Sequence, residues 1–382
     1  MESTAPGPAP ATPPEPRRRR RWFAVALAGL LLAGAVGVTA WRTSANRPPA
    51  SADVAAPGST PKLLAGLPDR LLPPPTPTAL PTDRAVGRAA LLYQINDPKN
   101  FTAANGDLPQ LPTYLVTATG DQFSVAPTTM GAVNQALSPD GRWLVQRRDR
   151  QWWIRDLTGT TDRAAPPGHE VRQWSTDGRT LLLGQTAGAS EAFTTFTLST
   201  GELRPLALPA MPARRMLAFL DGREVATAEF DLGPNHQPRN QLTITIQDVD
   251  GRNARSVSIP TTQQVSPGDI RNAVVPLVRG GGDPATVWAL VAPQEEIPTG
   301  QPAAPMTLVG VDLRSGKPAG RIDLVTPQGD EGEEFIGLAG TQVLLQRWTA
   351  NAIELVTADP TTGKRRVLTS LPDYTKVILP GD

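Results

Sequence analysis

Leu137-Ser138-Pro139-Asp140-Gly141-Arg142-Trp143-Leu144-Val145 reads as the end of one strand, a tight polar turn and the start of a second strand. Asp-Gly suits such a turn, because glycine takes a positive φ at no steric cost and aspartate hydrogen-bonds its own backbone. Weaker copies stand at Trp174-Ser175-Thr176-Asp177-Gly178-Arg179-Thr180-Leu181 and at Phe219-Leu220-Asp221-Gly222-Arg223-Glu224-Val225. The repeating unit has a second half, a further strand running into a glycine turn: Ile154-Arg155-Asp156-Leu157-Thr158-Gly159, Phe196-Thr197-Leu198-Ser199-Thr200-Gly201 and Val311-Asp312-Leu313-Arg314-Ser315-Gly316. Looser versions end at Gly120, Gly251 and Gly363. These glycines recur at roughly the 40 to 50 residues of a propeller blade. The one long interval, Gly251 to Gly316, holds a Pro-rich polar insertion from Ala292 to Pro305 that loops out between strands. The expectation is an all-β fold, a six-bladed β-propeller.

Outward from the repeat, Ala89-Ala90-Leu91-Leu92-Tyr93-Gln94-Ile95, Thr113 to Ala118 and Gln122 to Ala126 read as three strands ahead of the first full copy. One strand is left over at the other end, Tyr374 to Leu379. A propeller closes when one end of the chain completes the blade begun by the other, which removes exposed sheet edges. Tyr374 to Leu379 is therefore expected to complete the first blade, with the propeller occupying residues 85–382.

The abundance of glycine (34) and proline (41) agrees with a turn-dense β protein that also carries unstructured segments. With no cysteine among its 382 residues, the chain has no disulfide, thiolate metal site, cysteine nucleophile or lipidated cysteine. The net charge of +1 includes Arg17 to Arg21, so the rest of the chain is close to neutral. A binder of phosphate backbone needs a basic face, so nucleic acid is not an expected partner.

Residues 1–21 form a tail poor in large apolar residues, expected to be disordered and ending in the arginine block. Residues 22–41, from Trp22 through an uncharged apolar run to Trp41, match a transmembrane helix. The tryptophans stand where interfacial aromatics belong, and the arginines keep the N-terminal side in the cytoplasm. Two other readings of this stretch are a cleaved signal peptide, with small residues at Val38-Thr39-Ala40, and twin-arginine export at Arg20-Arg21. Residues 42–84, with Pro73-Pro74-Pro75-Thr76-Pro77 among their prolines, read as a semi-rigid extracytoplasmic linker. Within it, Leu63 to Leu72 is apolar enough to dock on the edge of the domain.

Candidate chemistry is sparse. His169 and His236, the only histidines, lie in Pro/Gly-flanked segments and read as loop residues. No Gly-x-Ser-x-Gly elbow occurs. The acidic groups Asp330-Glu331-Gly332-Glu333-Glu334, Asp248-Val249-Asp250-Gly251 and Asp97 with Asn100, Asn105 and Asp107 lack calcium-loop spacing and read as solvated turns. No catalytic residue, metal site or cofactor is expected. The candidate binding residues are Arg147, Arg148, Arg150, Trp152 and Trp153, where cations and aromatics alternate at a hairpin tip. Such a group can hold an anionic or sugar polymer by charge-assisted hydrogen bonds and stacking. The competing reading packs Trp152 and Trp153 between blades and leaves the arginines solvated.

The Ser-Pro-Asp-Gly-Arg turn at Ser138 to Arg142, with the Asp-Leu-x-Gly turn at Asp156 to Gly159, resembles TolB-type and WD-repeat-like bacterial propellers. The whole layout of basic tail, single span, Pro-rich stalk and degenerate propeller resembles a group of single-pass actinobacterial membrane proteins. The Trp-Asp and Gly-His pairs of true WD repeats are missing, as is the separate N-terminal domain of TolB. The expected role is non-enzymatic binding or scaffolding, on the outer face of the cell membrane, with a protein or cell-envelope polymer as partner. The alternatives are an envelope lyase or hydrolase using carboxylates and arginines in the propeller funnel, and a ligand-sensing signalling partner.

Overall fold

The computed structural model describes residues 63–96, 110–129, 135–187, 190–208, 211–212, 217–220, 223–232, 238–260, 272–275, 286–293, 307–325 and 331–381. The chain divides into two units, Met1–Val38 and Thr39–Asp382, and every described residue belongs to the second. The basic tail, the apolar run at 22–41 and linker residues 42–62 lie outside the described residues.

Among the described residues the chain forms six antiparallel sheets. β1 (Ala89–Ile95), β2 (Gln110–Thr117) and β3 (Gln122–Thr129) begin the first sheet, and β4 (Gln135–Leu137), β5 (Trp143–Arg148), β6 (Gln151–Asp156) and β7 (Asp162–Ala164) make the second. The third holds β8 (Glu170–Trp174), β9 (Thr180–Ala187), β10 (Ser190–Thr197) and β11 (Leu203–Pro205), with the short β12 (Met211–Pro212) beside β10. β13 (Leu217–Phe219), β14 (Glu224–Leu232), β15 (Pro238–Asp248) and β16 (Arg255–Pro260) make the fourth. β17 (Asn272–Val275), β18 (Thr286–Pro293), β19 (Thr307–Asp312) and β20 (Pro318–Asp323) make the fifth. The sixth is β21 (Gly332–Ala339), β22 (Gln342–Trp348), β23 (Ile353–Ala358) and β24 (Arg365–Leu371). The last strand, β25 (Thr375–Ile378), pairs with β1 and takes the innermost place in the first sheet. The leftover strand thus completes the first sheet, as the strand arithmetic requires.

Apolar side chains then join each sheet to the next. Leu92 and Leu115 pack with Leu137 and Leu144, Trp152 and Ile154 with Trp174 and Leu181, and Leu182 and Phe193 with Phe219 and Val225. Trp288 and Leu308 pack with Val343 and Leu345, and Leu344 and Leu355 with Leu91 and Tyr93. The fourth and fifth sheets touch through β15 and β17. The last of these contacts brings the sixth sheet back to the first, and the fold is an all-β propeller. Apolar residues on both faces of a sheet suit this arrangement, since each sheet is sandwiched between two others.

The repeated turn closes in the same way twice. Ser138 Oγ donates to Asp140 Oδ1 (2.7 Å) and accepts from the Trp143 N–H (2.8 Å), and Asp140 Oδ1 also accepts from the Arg142 N–H (3.1 Å). Ser175, Asp177, Arg179 and Thr180 repeat this set, in the same order, at 2.5, 3.0 and 2.9 Å. Gly141 and Gly178 supply the positive φ, 67° and 68°. In the third copy Leu220 replaces the serine; its N–H still donates to Glu224 O (2.9 Å), but the hydroxyl network is gone. Because strands alternate in direction, these turns and the Asp156, Asp312 and Asp359 turns share one end of the sheets, the turn face. The β5–β6 connection and the links between sheets lie at the other end.

The described part of the linker lies along the ring. Leu63, Leu64 and Leu71 are buried in the wedge between the first and sixth sheets, as the apolar run at Leu63 to Leu72 leads one to expect. Leu71 N–H donates to Ser370 O and Ser370 N–H to Asp69 O, both at 2.9 Å, on the outer edge of β24. Leu80 N–H donates to Ser124 O (2.9 Å) and Ser124 N–H to Thr78 O (2.8 Å), on the outer edge of β3. Val86 and Gly87 then donate to Leu157 O in the second sheet at 2.9 and 3.0 Å. Beneath this strap, Arg155, 1% exposed, donates through Nη2 to Pro81 O (3.2 Å) and Arg84 O (3.0 Å).

Candidate functional site

The five candidate binding residues sit on the β5–β6 hairpin, where Arg148 pairs with Gln151 across a two-residue turn. Both turn residues have positive φ, Asp149 at 49° and Arg150 at 64°. Two-residue hairpin loops favour that geometry because its twist matches the strands, but it is uncommon for residues other than Gly, Asn and Asp. Arg150 is exposed at the tip.

Strand alternation sends the other four to opposite sides. Arg147 and Trp152 face the third sheet: Trp152 is 3% exposed and packs on Trp174, Val171 and Phe196. Glu170 Oε2 accepts from Trp152 Nε1 (3.1 Å) and from Arg147 Nη1 (3.4 Å). On the other side, Arg148 donates to Asp162 Oδ2 (2.7 Å), and its guanidinium carbon lies 5.5 Å from the centre of the Trp153 ring. The hairpin therefore divides into a packed half, Arg147 with Trp152, and a surface half, Arg148, Arg150 and Trp153.

A second set of charges lies toward the middle of the ring. Glu334 on β21 and Lys376 on β25 are solvent-reachable residues of innermost strands in neighbouring sheets. Burial raises the Glu334 carboxyl above the ordinary range, while Lys376 acts the other way. Arg172, at the irregularity in β8 between Val171 and Gln173, donates to Glu191 Oε1 at 2.5 Å. Glu191 is buried, and a Cβ at Gly184 would run into its carboxylate. Glycine is what leaves room for this pair.

Buried carboxylates held by arginines within one sheet are the feature sequence reasoning missed. Glu333, read as part of a solvated turn, is 1% exposed and takes Arg365 in a fork, 2.7 Å to Oε1 and 2.8 Å to Oε2. Arg255 Nη1 donates to the buried Glu224 at 2.7 Å, and Arg142 Nη2 to Asp156 at 2.7 Å. The available signal was a glutamate within the first two residues of a strand, as at Glu333, Glu224 and Glu191. Asp248 and Asp250 do stay in a turn, accepting from Asn253 Nδ2 (2.6 Å) and the Arg252 N–H (3.1 Å). His169 is half-buried, with Nδ1 2.9 Å from Pro167 O. His236, Asp330, the group at Asp97 to Asp107 and insertion residues 294–306 lie outside the described residues. Among the described residues no three His, Asp or Glu side chains are grouped to hold a metal ion, and none is a helix long and apolar enough to cross a membrane.

No family model and no curated relative matches the chain. Solved structures to which it is similar include TolB from Acinetobacter baumannii, 14% identical with a TM-score of 0.41, covering 76% of this chain and 66% of that one. The β-propeller domain of the Trilobed protease from Pyrococcus furiosus is 13% identical with a TM-score of 0.44, covering 78% of this chain and 99% of that one. An oligogalacturonate lyase in complex with manganese is 13% identical with a TM-score of 0.39, covering 70% and 74%. These are likenesses in fold, TolB-like propellers among them; the sheet order above establishes the propeller independently.

Proposed function

We propose that the chain is a six-bladed propeller carried outside the cell membrane by a single span at residues 22–41, and that it acts as a non-enzymatic binding or scaffolding module for a protein or cell-envelope polymer. The observation that carries the reading is the surface half of the β5–β6 hairpin. Arg150 projects from a turn it adopts only at a cost in backbone strain, beside an arginine stacked on a half-buried tryptophan. Cation and aromatic side together suit a partner that offers an anionic or polar group and a flat surface. Arg147 and Trp152 support the hairpin from within and are not free to bind.

The test is capture of partners by cross-linking from the outer face of cells expressing the full chain, compared with an Arg148→Ala, Arg150→Ala, Trp153→Ala variant that spares Trp152. Loss of a defined partner with an unchanged melting temperature is the expected result. Equal capture by the variant would remove the hairpin from the reading.

The envelope-enzyme alternative has one specific observation in its favour, Glu334 with its raised carboxyl near Lys376 on the edge strands β21 and β25 of neighbouring sheets. Hydrolysis or elimination of an envelope polymer by the purified protein, lost in Glu334→Gln, would replace the binding reading.

A further inference from the structure

We propose that residues 63–88 are a second closure of the ring, clamping the seam between the sixth and first sheets from outside, so that pull on the chain ahead of Leu63 is borne by that seam. The seam is where the ring closes, because β1 to β3 come from the opposite end of the sequence from the sixth sheet, and the chain reaches them from β24 only through residues 372–374 and β25. Here it has an inner fastening, β25 beside β1, with register partners from Leu92↔Ile378 to Ile95↔Thr375. The strap supplies an outer one.

Three observations place it. Leu63, Leu64 and Leu71 fill the wedge between the two sheets, touching a cluster that includes Leu344, Leu355 and Leu371 of the sixth and Leu91, Tyr93 and Tyr114 of the first. The parallel bridges Arg70↔Ser370 and Ala79↔Ser124 then put consecutive parts of one segment on the outer edges of those same two sheets. Beyond them the strap is bound to the second sheet by Arg155, whose Nε and Nη1 are buried without a partner. A buried guanidinium whose remaining partners are two strap carbonyls holds the strap strongly, since losing them leaves a cation without compensation.

Apolar burial in the wedge and edge pairing act together, so the strap stabilises the seam more than other parts of the ring. Exchange of backbone amides reports such local differences. In the full chain in detergent, Leu64→Ser with Leu71→Ala should speed hydrogen–deuterium exchange in β25 and β24 at least tenfold and leave β8 to β10 within about twofold. The chain has no cysteine, so Arg70→Cys with Ser370→Cys can be joined by a short thiol cross-linker, and this should slow exchange at the same strands. The milder Arg155→Gln should speed exchange at the Leu80 and Val86 amides while the protein stays folded. Unchanged exchange at the seam, or an equal rise in β8 to β10, would overturn the proposal.

Discussion

Arg142 holds Asp156 in a fork, its Nη2 2.7 Å from Oδ2 and its Nε 3.2 Å from both carboxylate oxygens, and so ties the turn before the second strand of a sheet to the end of the third. Burial pushes the Asp156 carboxyl up, but bonds from Arg142 and from the hydroxyl and N–H of Thr158 outweigh it and hold it below the ordinary range. A carboxyl whose folded pKa is depressed contributes stability that is present above its unfolded value, about 4, and is lost as pH falls through the folded value. Melting temperature should therefore fall below about pH 4. Asp156→Asn should lower it at pH 7, by the equivalent of about 1–3 kcal/mol, and flatten part of the acid dependence. A parallel acid limb in wild type and variant would count against the pair.

Glu334 has the opposite sign. Its raised folded pKa means that its contribution is most favourable below about pH 4.5 and is lost as pH rises through the folded value. Glu334→Gln should raise the melting temperature at pH 7 and leave it unchanged at pH 4. A loss at pH 7 would show instead that Lys376 binds the carboxylate productively.

The ring's inner fastening is tested by ending the chain before Asp373. That removes β25 and the Gly381 N–H bond to Leu137 O (2.8 Å), and exposes the edge of β1. The shortened protein should aggregate on size-exclusion chromatography or become protease-sensitive. An unchanged melting profile would contradict closure through β25.

Glycines at positive φ should differ sharply. Gly141→Ala adds a Cβ against the Ala89 carbonyl oxygen as well as left-handed strain, and should cost about 3 kcal/mol or more, beyond the roughly 1–2 kcal/mol of the strain alone. Gly168 has a φ of 76° with open space around it, so Gly168→Ala should cost about 1–2 kcal/mol. Denaturant melts of the two variants measure the difference directly.

Trp152→Ala and Trp153→Ala separate the halves of the hairpin. The first empties an inter-sheet site and should cost about 3–5 kcal/mol. The second, on a half-buried residue, should cost clearly less in the same urea titration.

The repeat legible in the sequence is a local one, and local chemistry is what it reports. Ser-x-Asp-Gly-Arg writes its own hydrogen-bond network, so the turns at Ser138 and Ser175 and the strands beside them follow from residue types alone. The completion of the first sheet by β25 follows from counting strands. The carboxylate–arginine pairs were not legible, because Glu333 and Arg365 stand on the first and fourth strands of one sheet, and Arg172 and Glu191 on the first and third of another, and they meet only when the whole sheet is assembled. The two tryptophans illustrate the same limit. Trp152 and Trp153 are neighbours of one type, and only the register of β5 against β6 sends one into the core and leaves the other at the surface. For Leu63 to Leu72 the apolar content announced docking, but not that the strap would go on to cross three sheets.

The turn at Pro139 to Gly141 lies beside both places where the chain joins and leaves the ring. Leu63 approaches the Cβ position of Gly141, and Gly381 lies against Pro139. Arrival and departure thus share one pole of the molecule. Leu63 and Gly381 therefore stand together near the turn face, opposite the pole bearing Arg150, so a fluorophore attached at Gly381 would leave the hairpin unshaded.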